Sequence, residues 1–483
     1  MLDILPLVAF IGLIFVVAYS QARPSVYTAL PNSPTTVPYL FPWIGSFFSF
    51  NRDPLRFFQE CHQRYGHVYK VFLAGRIIVV ITHPNGITSI TRDTTRNLTN
   101  KDIFIHMLQG ITGFSANLDS IHELLDHKIF PITKMTLSPS SMLDITEGLD
   151  KSLRRELRGL DQNKGLPRVI QLSDLIGRPL YTAGCYALFG STFPFDTFSD
   201  FQALDSNLPQ LLTQLPFIGY RGAHARDRLL SKIADYIEGW WESDGVEEIP
   251  EASTTVMQSL TELKASQVSK REAAGALLLL LWGFHSNTWY MLFWLVTHLV
   301  VDDKAMAQLT QDLEAARNHQ SLPNNESNSP PLLESAILET LRWATTSTTV
   351  RFAEDDTEIA VNGLRVPINK GEYVMGDVRA VHHDLSTFED PDQFRIGRYM
   401  TKEDRSAPLP KPMAWGGGKH MCVGRHVAVH VMRLFMLECL RLYEIKAVAS
   451  GFETRRLPRI SSRHFIGSLK TNEEVHVVIS PRH

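Results

Sequence analysis

The 483-residue chain is poor in cysteine, and its four cysteines form no close pairs. Cys61, Cys185, Cys422 and Cys439 are widely scattered, without a CxxC pair. This spacing provides neither the regular framework of a disulfide-rich secreted domain nor the paired ligands of a structural zinc site. The scatter therefore indicates free thiols in a reducing compartment.

The chain also lacks an excess of charge and a cofactor fingerprint. Its formal net charge is -3, so it has no basic field of the kind that nucleic-acid binding requires. It contains no flavin or nicotinamide motif, so electrons for redox chemistry would have to come from a separate protein. Length alone allows roughly two to four domains or one large enzyme.

One long apolar run lies at the amino terminus. Residues 4–22 carry no charged side chain and are just long enough to cross a bilayer as a helix. A cleaved signal peptide is the alternative, but no positively charged segment precedes the run. Arg23 follows the run and Asp3 precedes it, which favours a cytoplasmic catalytic body. We predict a single-pass membrane anchor at residues 1–22.

Proline recurs at every third or fourth residue from Pro31 to Pro42. Proline fixes φ and removes a backbone donor, so this spacing excludes a helix and indicates a stiff, extended connector. We assign residues 23–50 to a proline-rich hinge. Residues 51–483 then form one catalytic domain.

The body of the chain is predicted to be mainly α-helical with minor β structure. Amphipathic helical stretches alternate with short polar breaks; one helix starts at Asp53-Pro54 and stops at Gly66. Residues 68–82 are β-branched around a central turn, which predicts two paired strands. Residues 474–480 predict a strand in a small terminal sheet.

A glycine-rich loop at residues 411–425 places Cys422 immediately before a predicted helix. The three glycines Gly416–Gly418 have no side chains to bury and allow a flat group to approach the backbone. A thiol at a helix start is stabilised as a thiolate by the helix dipole and the free amides. Cys422 is therefore a candidate metal ligand or nucleophile; the alternative is a buried structural cysteine.

This loop resembles the haem-binding loop of the cytochrome P450 superfamily. The frame aromatic-x-x-Gly-x-basic-x-Cys-x-Gly is occupied by Trp415, Gly418, His420, Cys422 and Gly424. The resemblance implies a cytochrome P450 fold, haem b as cofactor and the Cys422 thiolate as the axial iron ligand. Trp415 stands where the family usually has Phe, and His420 where it has Arg, so the propionate contact differs.

Two further motifs support the resemblance. Glu339 and Arg342 lie at i and i+3 on one predicted helix, and Arg398 lies in an aromatic-rich segment upstream of Cys422. In the family such residues form a buried Glu-Arg-Arg network that holds the cysteine loop. The resemblance therefore implies a structural network of Glu339, Arg342 and Arg398.

Residues 272–300 are apolar nearly all round and predict one buried central helix. A second transmembrane span is the rival interpretation, but the polar residues in the middle of the run are expensive in lipid. The resemblance places this helix at the distal face of the haem, where Asn287 replaces the usual threonine. It implies catalytic roles for Asn287 and Ser286 in positioning water or the distal oxygen. Asn287 could instead hydrogen-bond a neighbouring carbonyl in a helix distortion.

The resemblance extends to the substrate pocket and to a particular branch of the family. Phe284, His285 and Thr288 would shape the pocket. The residues around Trp282, Asn287 and Trp294 resemble the branch that holds the sterol 7α- and 12α-hydroxylases and prostacyclin synthase. That branch includes both oxygenases and an isomerase.

Propionate contacts are the least defined part of the resemblance. Arg351, on a predicted strand at residues 345–351, and His382 stand at positions where the family places haem contacts. The family's Trp-x-x-x-Arg pair is absent from the sequence. The nearest candidates, which are better explained as ordinary surface residues, are His122, His127 and Lys128.

The expected activity is that of a haem-thiolate monooxygenase which hydroxylates or epoxidises a lipophilic molecule. The substrate would be a sterol, terpenoid or polyketide-like compound, in secondary-metabolite biosynthesis, with electrons from an NADPH-dependent reductase at the endoplasmic reticulum membrane. The alternative enzyme is a non-oxygenating isomerase or dehydratase acting on an oxygenated substrate. A haem sensor or carrier without turnover, or a helical membrane protein without haem, are further alternatives.

Overall fold

The computed structural model describes residues 34–92, 97–161, 165–215, 217–318, 329–400, 408–448, 456–461 and 467–482. The predicted anchor, and the hinge as far as residue 33, lie outside these ranges. Among the described residues, no helix combines the length and apolar character needed to cross a membrane.

Helices account for most of the regular structure in the described ranges. In chain order they are α1 (Phe47–Arg52), α2 (Pro54–Tyr65), α3 (Pro84–Thr91), α4 (Lys101–Thr112), α5 (Leu118–Leu124), α6 (Phe130–Thr136), α7 (Leu143–Gly159), α8 (Leu172–Phe189), α9 (Phe198–Leu211), α10 (Tyr220–Tyr236), α11 (Glu238–Glu242), α12 (Thr254–Ala265), α13 (Lys270–His285), α14 (Thr288–Val301), α15 (Asp303–Asn318), α16 (Pro331–Ala344), α17 (Val378–His382) and α18 (Arg425–Leu442).

Short strands complete the described structure. They are β1 (Thr35–Thr36), β2 (Val68–Leu73), β3 (Arg76–Ile81), β4 (Leu98–Thr99), β5 (Arg168–Gln171), β6 (Thr348–Ala353), β7 (Thr357–Val361), β8 (Leu364–Ile368), β9 (Tyr373–Asp377), β10 (Tyr443–Ala447) and β11 (His476–Pro481). The predicted class, mainly α with minor β, is confirmed.

The chain divides into two compact units. The first holds the described residues of Met1–Asp102, Thr346–Asp384 and Gly416–Met421. In this part of the structure a six-stranded sheet has the order β1-β2-β3-β9-β6-β4, and β7 pairs with β8. β2 and β3 are antiparallel around Ala74 and Gly75, both at positive φ, as the sequence predicts.

Helix α2 of the first unit has the predicted ends. The Asp53 side chain accepts a hydrogen bond from the Arg56 amide, which satisfies one of the free N–H groups of the first turn. Pro54 occupies the first helical position, where its missing N–H is no loss. Gly66 ends the helix at φ 79°, a conformation that favours glycine.

The second unit is mainly helical. It holds the described residues of Ile103–Thr345, Leu385–Trp415 and Cys422–His483. Helix α13 packs on α8 and α10, and α14 packs on α8, α16 and α18, so the two apolar helices are central to this unit. β10, β11 and β5 form an antiparallel sheet, which confirms the predicted terminal strand.

The single central helix predicted for residues 272–300 is wrong in one respect. The structure has two helices, because α13 ends at His285 and α14 begins at Thr288. Ser, Thr and Asn side chains compete with the backbone for hydrogen bonds, and here the Thr288 hydroxyl donates to the Phe284 carbonyl at 3.3 Å. The predicted burial is confirmed, since most side chains of both helices are buried.

Candidate active site

Cys422 lies three residues before the first residue of α18, in a loop closed by main-chain hydrogen bonds. Its amide donates to the Trp415 carbonyl at 2.9 Å, and the Arg425 guanidinium donates to the Cys422 carbonyl at 3.0 Å. Cys422 is exposed, whereas the three other cysteines are buried. Of the four cysteines, all within the described ranges, Cys422 in this loop is therefore the solvent-accessible one.

Opposing effects act on the Cys422 thiol. Partial desolvation by the protein around it raises its pKa, although one face remains open to solvent. The backbone amides of Gly424 and Arg425 and the charge of the Arg425 side chain act in the opposite direction, because each stabilises a thiolate. Desolvation is the larger effect, so the pKa of the Cys422 thiol is raised overall, while the helix start still provides donors suited to an anionic sulfur.

Residues Gly416–Met421 of the loop belong to the first unit, and two glycines set the backbone conformation there. Gly416 and Gly418 have φ of 65° and 62°. A Cβ added to Gly418 would lie 2.0 Å from the Thr91 carbonyl oxygen, so the loop packs directly against the end of α3. A side chain at Gly418 would be both strained and obstructed. His420, two residues later, is exposed.

Glu339, Arg342 and Arg398 are brought together in the second unit, where all three are buried. The Arg342 Nε and Nη2 atoms donate to the two Glu339 oxygens at 2.7 and 2.9 Å. The Arg398 Nε donates to Glu339 Oε1 at 2.8 Å. One carboxylate therefore compensates two guanidinium groups through charge-assisted hydrogen bonds.

The remaining guanidinium donors of this network hold a stretch of backbone. Arg342 donates to the Pro391 carbonyl at 2.8 Å, and Arg398 donates to the carbonyls of Glu389 and Gln393 at 2.6 and 2.7 Å. Irregular backbone has no helix or strand partners, so these bonds satisfy carbonyls that would otherwise be buried alone. The network fixes the segment that includes residues 389–398.

Sequence reasoning missed two further contacts of this segment. The Arg395 amide donates to Glu339 at 3.0 Å, and the Trp343 indole donates to the Asp392 carbonyl at 3.0 Å. A backbone amide carries no signature in a sequence. Trp343 lies next to Arg342 and could have been read as part of the same motif.

A polar constellation surrounds the break between α13 and α14. The Ser468 hydroxyl donates to the Asn287 side-chain oxygen at 3.1 Å. A Cβ added to Gly467 would lie 2.3 Å from the same oxygen, so the terminal chain passes very close to Asn287. The Asn287 side-chain oxygen is therefore held by the terminal segment, residues 467–470.

The neighbouring Ser286 belongs to a buried charge cluster that sequence reasoning missed. The carboxylate of Asp205 accepts hydrogen bonds from the Ser286 hydroxyl at 2.5 Å, the Trp282 indole at 3.1 Å and the Lys470 ammonium at 2.6 Å. Asp205 and Lys470 are 2% and 6% exposed. They are 265 residues apart in the chain, so no local pattern could have connected them.

A cavity lies beside this cluster. Its lining residues come from α9, α13, the break and the terminal segment: Asp205, Leu208, Pro209, Trp282, Ser286, Asn287, Gly467 and Lys470. Ser286 and Asn287, the predicted catalytic pair, thus line one cavity. Phe284, His285 and Thr288 lie outside that set.

His285 is packed between helices. Its ring is 5.0 Å from that of Tyr181, and its Nε2 atom is 3.8 Å from the Cys185 sulfur. Burial lowers the pKa of His285 to about 3, so the imidazole is neutral. This placement favours a packing role over a pocket role.

The predicted propionate contacts lie in the first unit. Arg351 is on β6, which begins three residues later than predicted, and its guanidinium donates to the Val350 carbonyl at 2.8 Å. His382 is buried at the end of α17. Of the weaker candidates, Lys128 pairs with Glu262 at 2.7 Å, His127 is exposed and His122 is half-buried against Phe104.

Comparison with known proteins agrees with this fold and thiol site. The family described as Cytochrome P450 matches residues 35–459. The chain therefore belongs to the cytochrome P450 family, whose members are oxidoreductases of the monooxygenase type with haem b and an axial cysteine thiolate. The predicted family, enzyme class and cofactor are confirmed.

The curated relatives are remote but cover nearly the whole chain. Cytochrome P450 7A1 of Oryctolagus cuniculus is 22% identical over 444 residues, 85% of this chain and 86% of the relative. Prostacyclin synthase of Rattus norvegicus is 21% identical over 478 residues, 90% and 91% of the two chains. Cholesterol 7-alpha-monooxygenase of Cricetulus griseus is 22% identical over 482 residues, 92% of each. The predicted branch is confirmed.

The residues present fit a haem thiolate. The donor is an accessible thiol at a helix start, and thiolate is a ligand that iron accepts. A Cβ added to Gly424 would meet no atom within 4 Å, so the loop leaves free space two residues after the thiol. The observed donor chemistry and local space are both compatible with the family's cofactor.

Proposed function

We propose that this protein is a haem-thiolate monooxygenase with Cys422 as the axial ligand. The observation that carries the proposal is the accessible Cys422 thiol, which lies at the start of α18 and next to the donors of Gly424 and Arg425. Residues that would surround the haem, as the family pattern implies, are Trp415, Gly418, His420, Gly424, Arg351 and His382. The catalytic domain would comprise residues 51–483.

Bound haem supplies the activation of dioxygen and the transfer of one oxygen atom to the substrate. The chain's own contributions are positional. Asn287, whose side-chain oxygen accepts a hydrogen bond from Ser468, lines the cavity, where its amide would position water or a polar group of the substrate. Ser286 has its hydroxyl proton engaged by Asp205, so it supports Asn287 by holding the helix break. Glu339, Arg342 and Arg398 keep the segment at residues 389–398 rigid.

The family and the cavity support a proposal for the substrate and the partners. Members of the family use a redox partner and act on lipophilic molecules, and apolar residues such as Leu208 and Pro209 contribute to the cavity wall. We propose a sterol, terpenoid or polyketide-like substrate, as in secondary-metabolite biosynthesis, and an NADPH-dependent reductase. Residues 1–22 would anchor the protein in the endoplasmic reticulum membrane. The hinge proposed for residues 23–50 would lead into the sheet of the first unit, where β1 pairs with β2 and α1 begins at Phe47.

The experiment that tests the proposal is a reduced carbon-monoxide difference spectrum of wild type and Cys422→Ser. Wild type should give the thiolate-type Soret band, and Cys422→Ser should remain folded by circular dichroism while losing it. Cys439→Ser is the matched control, because Cys439 is buried in α18 and lies away from the loop. A thiolate-type band in Cys422→Ser would reject Cys422 as the ligand.

A haem-thiolate isomerase or dehydratase is the second candidate. The position that usually carries a threonine hydroxyl holds Asn287, and one relative of the chain is named prostacyclin synthase. An amide cannot pass a proton as readily as a hydroxyl, which favours rearrangement of a substrate that already carries oxygen.

Reductant dependence separates the two candidates. A monooxygenase incorporates one atom of labelled dioxygen and needs NADPH and reductase, whereas an isomerase turns over without either. Asn287→Thr sharpens the comparison, because it restores a hydroxyl at the same position. Turnover of a sterol or terpenoid panel by wild type without reductase would favour the isomerase.

A further inference from the structure

Asp205 and Lys470 form a buried ion pair at the wall of the cavity that Ser286 and Asn287 line. The Lys470 Nζ lies 2.6 Å from Asp205 Oδ2, and both side chains are nearly inaccessible. Burying two charges is costly, and replacement of a buried pair by apolar residues often preserves stability. The cavity has a volume of about 30 Å³, which suits a single polar group, so a charged pair at its wall points to recognition of such a group.

In this cluster the Asp205 oxygens all accept hydrogen bonds, whereas the Lys470 ammonium uses only some of its donors. Both oxygens of Asp205 are occupied, Oδ1 by Ser286 and Trp282 and Oδ2 by Lys470. The ammonium has three N–H donors, and one of them bonds Asp205. Its nitrogen also lies 4.8 Å from the centroid of the Tyr290 ring, a cation–π contact on a second side. Among the described residues Asp205 is the hydrogen-bond acceptor found for this ammonium, and Lys470 lines the cavity, so a further N–H is available to a group bound there.

The charges of Asp205 and Lys470 determine which kind of acceptor group can bind the available N–H of Lys470. Asp205 already neutralises Lys470, so an anionic group would add a second negative charge beside a buried carboxylate. A purely hydrocarbon group would leave the buried N–H without an acceptor. A neutral oxygen, hydroxyl or carbonyl, satisfies the donor without disturbing the charge balance.

We propose that Lys470, oriented by Asp205, is a specificity-determining residue that donates a hydrogen bond to a neutral hydroxyl or carbonyl oxygen of the substrate. This inference rests on the proposed function and narrows its substrate class. The substrate then carries an oxygen before reaction, at a position that lies near Asn287. The preceding reaction must therefore supply an oxygenated, uncharged lipophile.

Matched saturated probes that differ by one hydroxyl test the proposal. The pairs are 5α-cholestan-3β-ol with 5α-cholestane, and hexahydrofarnesol with farnesane. Binding to the full-length protein is measured by the ferric spin-state change and by the shift in thermal unfolding midpoint. In wild type we expect the alcohol of at least one pair to bind about tenfold or more tightly than its hydrocarbon, since a hydrogen bond from a charged donor contributes this much.

Variants of Lys470 and Asp205 test whether this ion pair causes the preference for the alcohol. Lys470→Met should reduce the ratio of the two dissociation constants to about one or two. Because Lys470→Met leaves the Asp205 charge buried alone, the double variant Asp205→Asn/Lys470→Met serves where the single variant does not fold. Lys70→Met is the matched control: Lys70 forms an equally short, buried pair with Glu372 in the first unit, and its loss should leave the preference intact.

The outcomes separate this inference from the proposed function. The role of Lys470 would be overturned if the wild-type protein responded equally to the alcohol and the hydrocarbon of both probe pairs, or responded to none of them. A preference for the alcohol that survives in the double variant would also overturn it. Absence of the thiolate-type carbon-monoxide band from the wild-type spectrum would reject the proposed function instead. The shift in thermal unfolding midpoint would then still measure the effect of Lys470 on probe binding.

Discussion

At the residue scale, the buried carboxylate of Glu339 connects both arginines of the network to one another. Glu339 has no exposed surface and accepts hydrogen bonds from Arg342, Arg398 and the Arg395 amide. Removing one member of a buried charged set leaves the others desolvated and uncompensated. The Glu339 charge thus supports both guanidinium groups and, through them, the backbone of residues 389–398.

Glu339→Gln is predicted to lower the free energy of unfolding by about 3–5 kcal/mol, because two guanidinium groups lose their buried counter-charge. Urea unfolding measures the change, and haem content per chain reports whether the cysteine loop is still organised. Glu358→Gln is the control: its pair with Arg365 at 3.2 Å is exposed, so the expected change is within about 1 kcal/mol. Equal losses in the two variants would contradict the role of Glu339.

Two buried histidines predict acid sensitivity. Burial lowers the pKa of both His285 and His298 to about 3, and the Arg342 charge adds to the effect at His298. An unfolded imidazole titrates near about 6.5. Between these values the unfolded chain binds protons that the folded chain does not, so stability falls as pH drops below about 6.5.

Substitution of one histidine tests how much each imidazole contributes to the fall of the free energy of unfolding with pH. Each histidine contributes up to about 1.4 kcal/mol per pH unit between pH of about 6.5 and 3. His298→Gln should remove one such contribution, measured as a shallower fall of the urea midpoint from pH 6.5 to pH 4.5. An unchanged slope in His298→Gln would show that its imidazole is protonated in the folded protein.

At the element scale, the interruption between α13 and α14 is the feature that sets the cavity. The residues flanking it are apolar enough for one continuous helix. The side chains of Ser286 and Asn287 nevertheless bond other elements, and the Thr288 hydroxyl donates to the Phe284 carbonyl. Two of these bonds go to distant elements, α9 and the terminal segment. Tertiary partners therefore outcompete the regular helix at this point.

The glycine-rich loop is the second element with a specific requirement. Gly418→Ala should lower the free energy of unfolding by at least about 2 kcal/mol, because a Cβ at φ 62° is strained and would lie 2.0 Å from the Thr91 oxygen. Loss of haem content should accompany it.

Gly159→Ala is the control for the loop variant. Gly159 is the last residue of α7, and an added Cβ meets no atom within 4 Å. Alanine favours a helix over glycine by up to about 1 kcal/mol, so this variant should be neutral or slightly stabilised. A Gly418→Ala protein as stable as Gly159→Ala would show that the loop can relax around a side chain.

At the scale of the whole molecule, the proposed anchor at residues 1–22 predicts that a charge in the middle of the apolar run abolishes membrane association. Leu13 lies near the centre of the apolar run and Ser20 near its end. An arginine at the centre of a membrane helix costs about 2.5–3.5 kcal/mol and less near the interface.

Leu13→Arg should therefore shift the protein from the membrane fraction to the supernatant after alkaline extraction, whereas Ser20→Arg should not. Immunoblotting of the two fractions measures the distribution. Membrane retention of Leu13→Arg equal to that of wild type would assign membrane binding to another part of the chain.

The family, the cofactor class and the mainly helical fold could be read from the sequence because they depend on local information. The spacing around Cys422, the turn at Gly66 and the β-branched strands around Gly75 are set by neighbouring residues, whose conformational limits hold in any context. The candidate thiol, the network residues and the pair Ser286 and Asn287 were likewise found by spacing within motifs.

The tertiary structure decided everything that depends on residues far apart in the chain. Asp205 and Lys470 carry no motif, and only folding brings their charges together beside Ser286. The Asp205–Ser286 bond lies where α13 ends, and a separate set of long-range contacts packs His285 against Tyr181. A sequence determines local backbone preferences, whereas burial and long-range hydrogen bonds select which of them survive, because a desolvated polar group must find its partner wherever the fold places it.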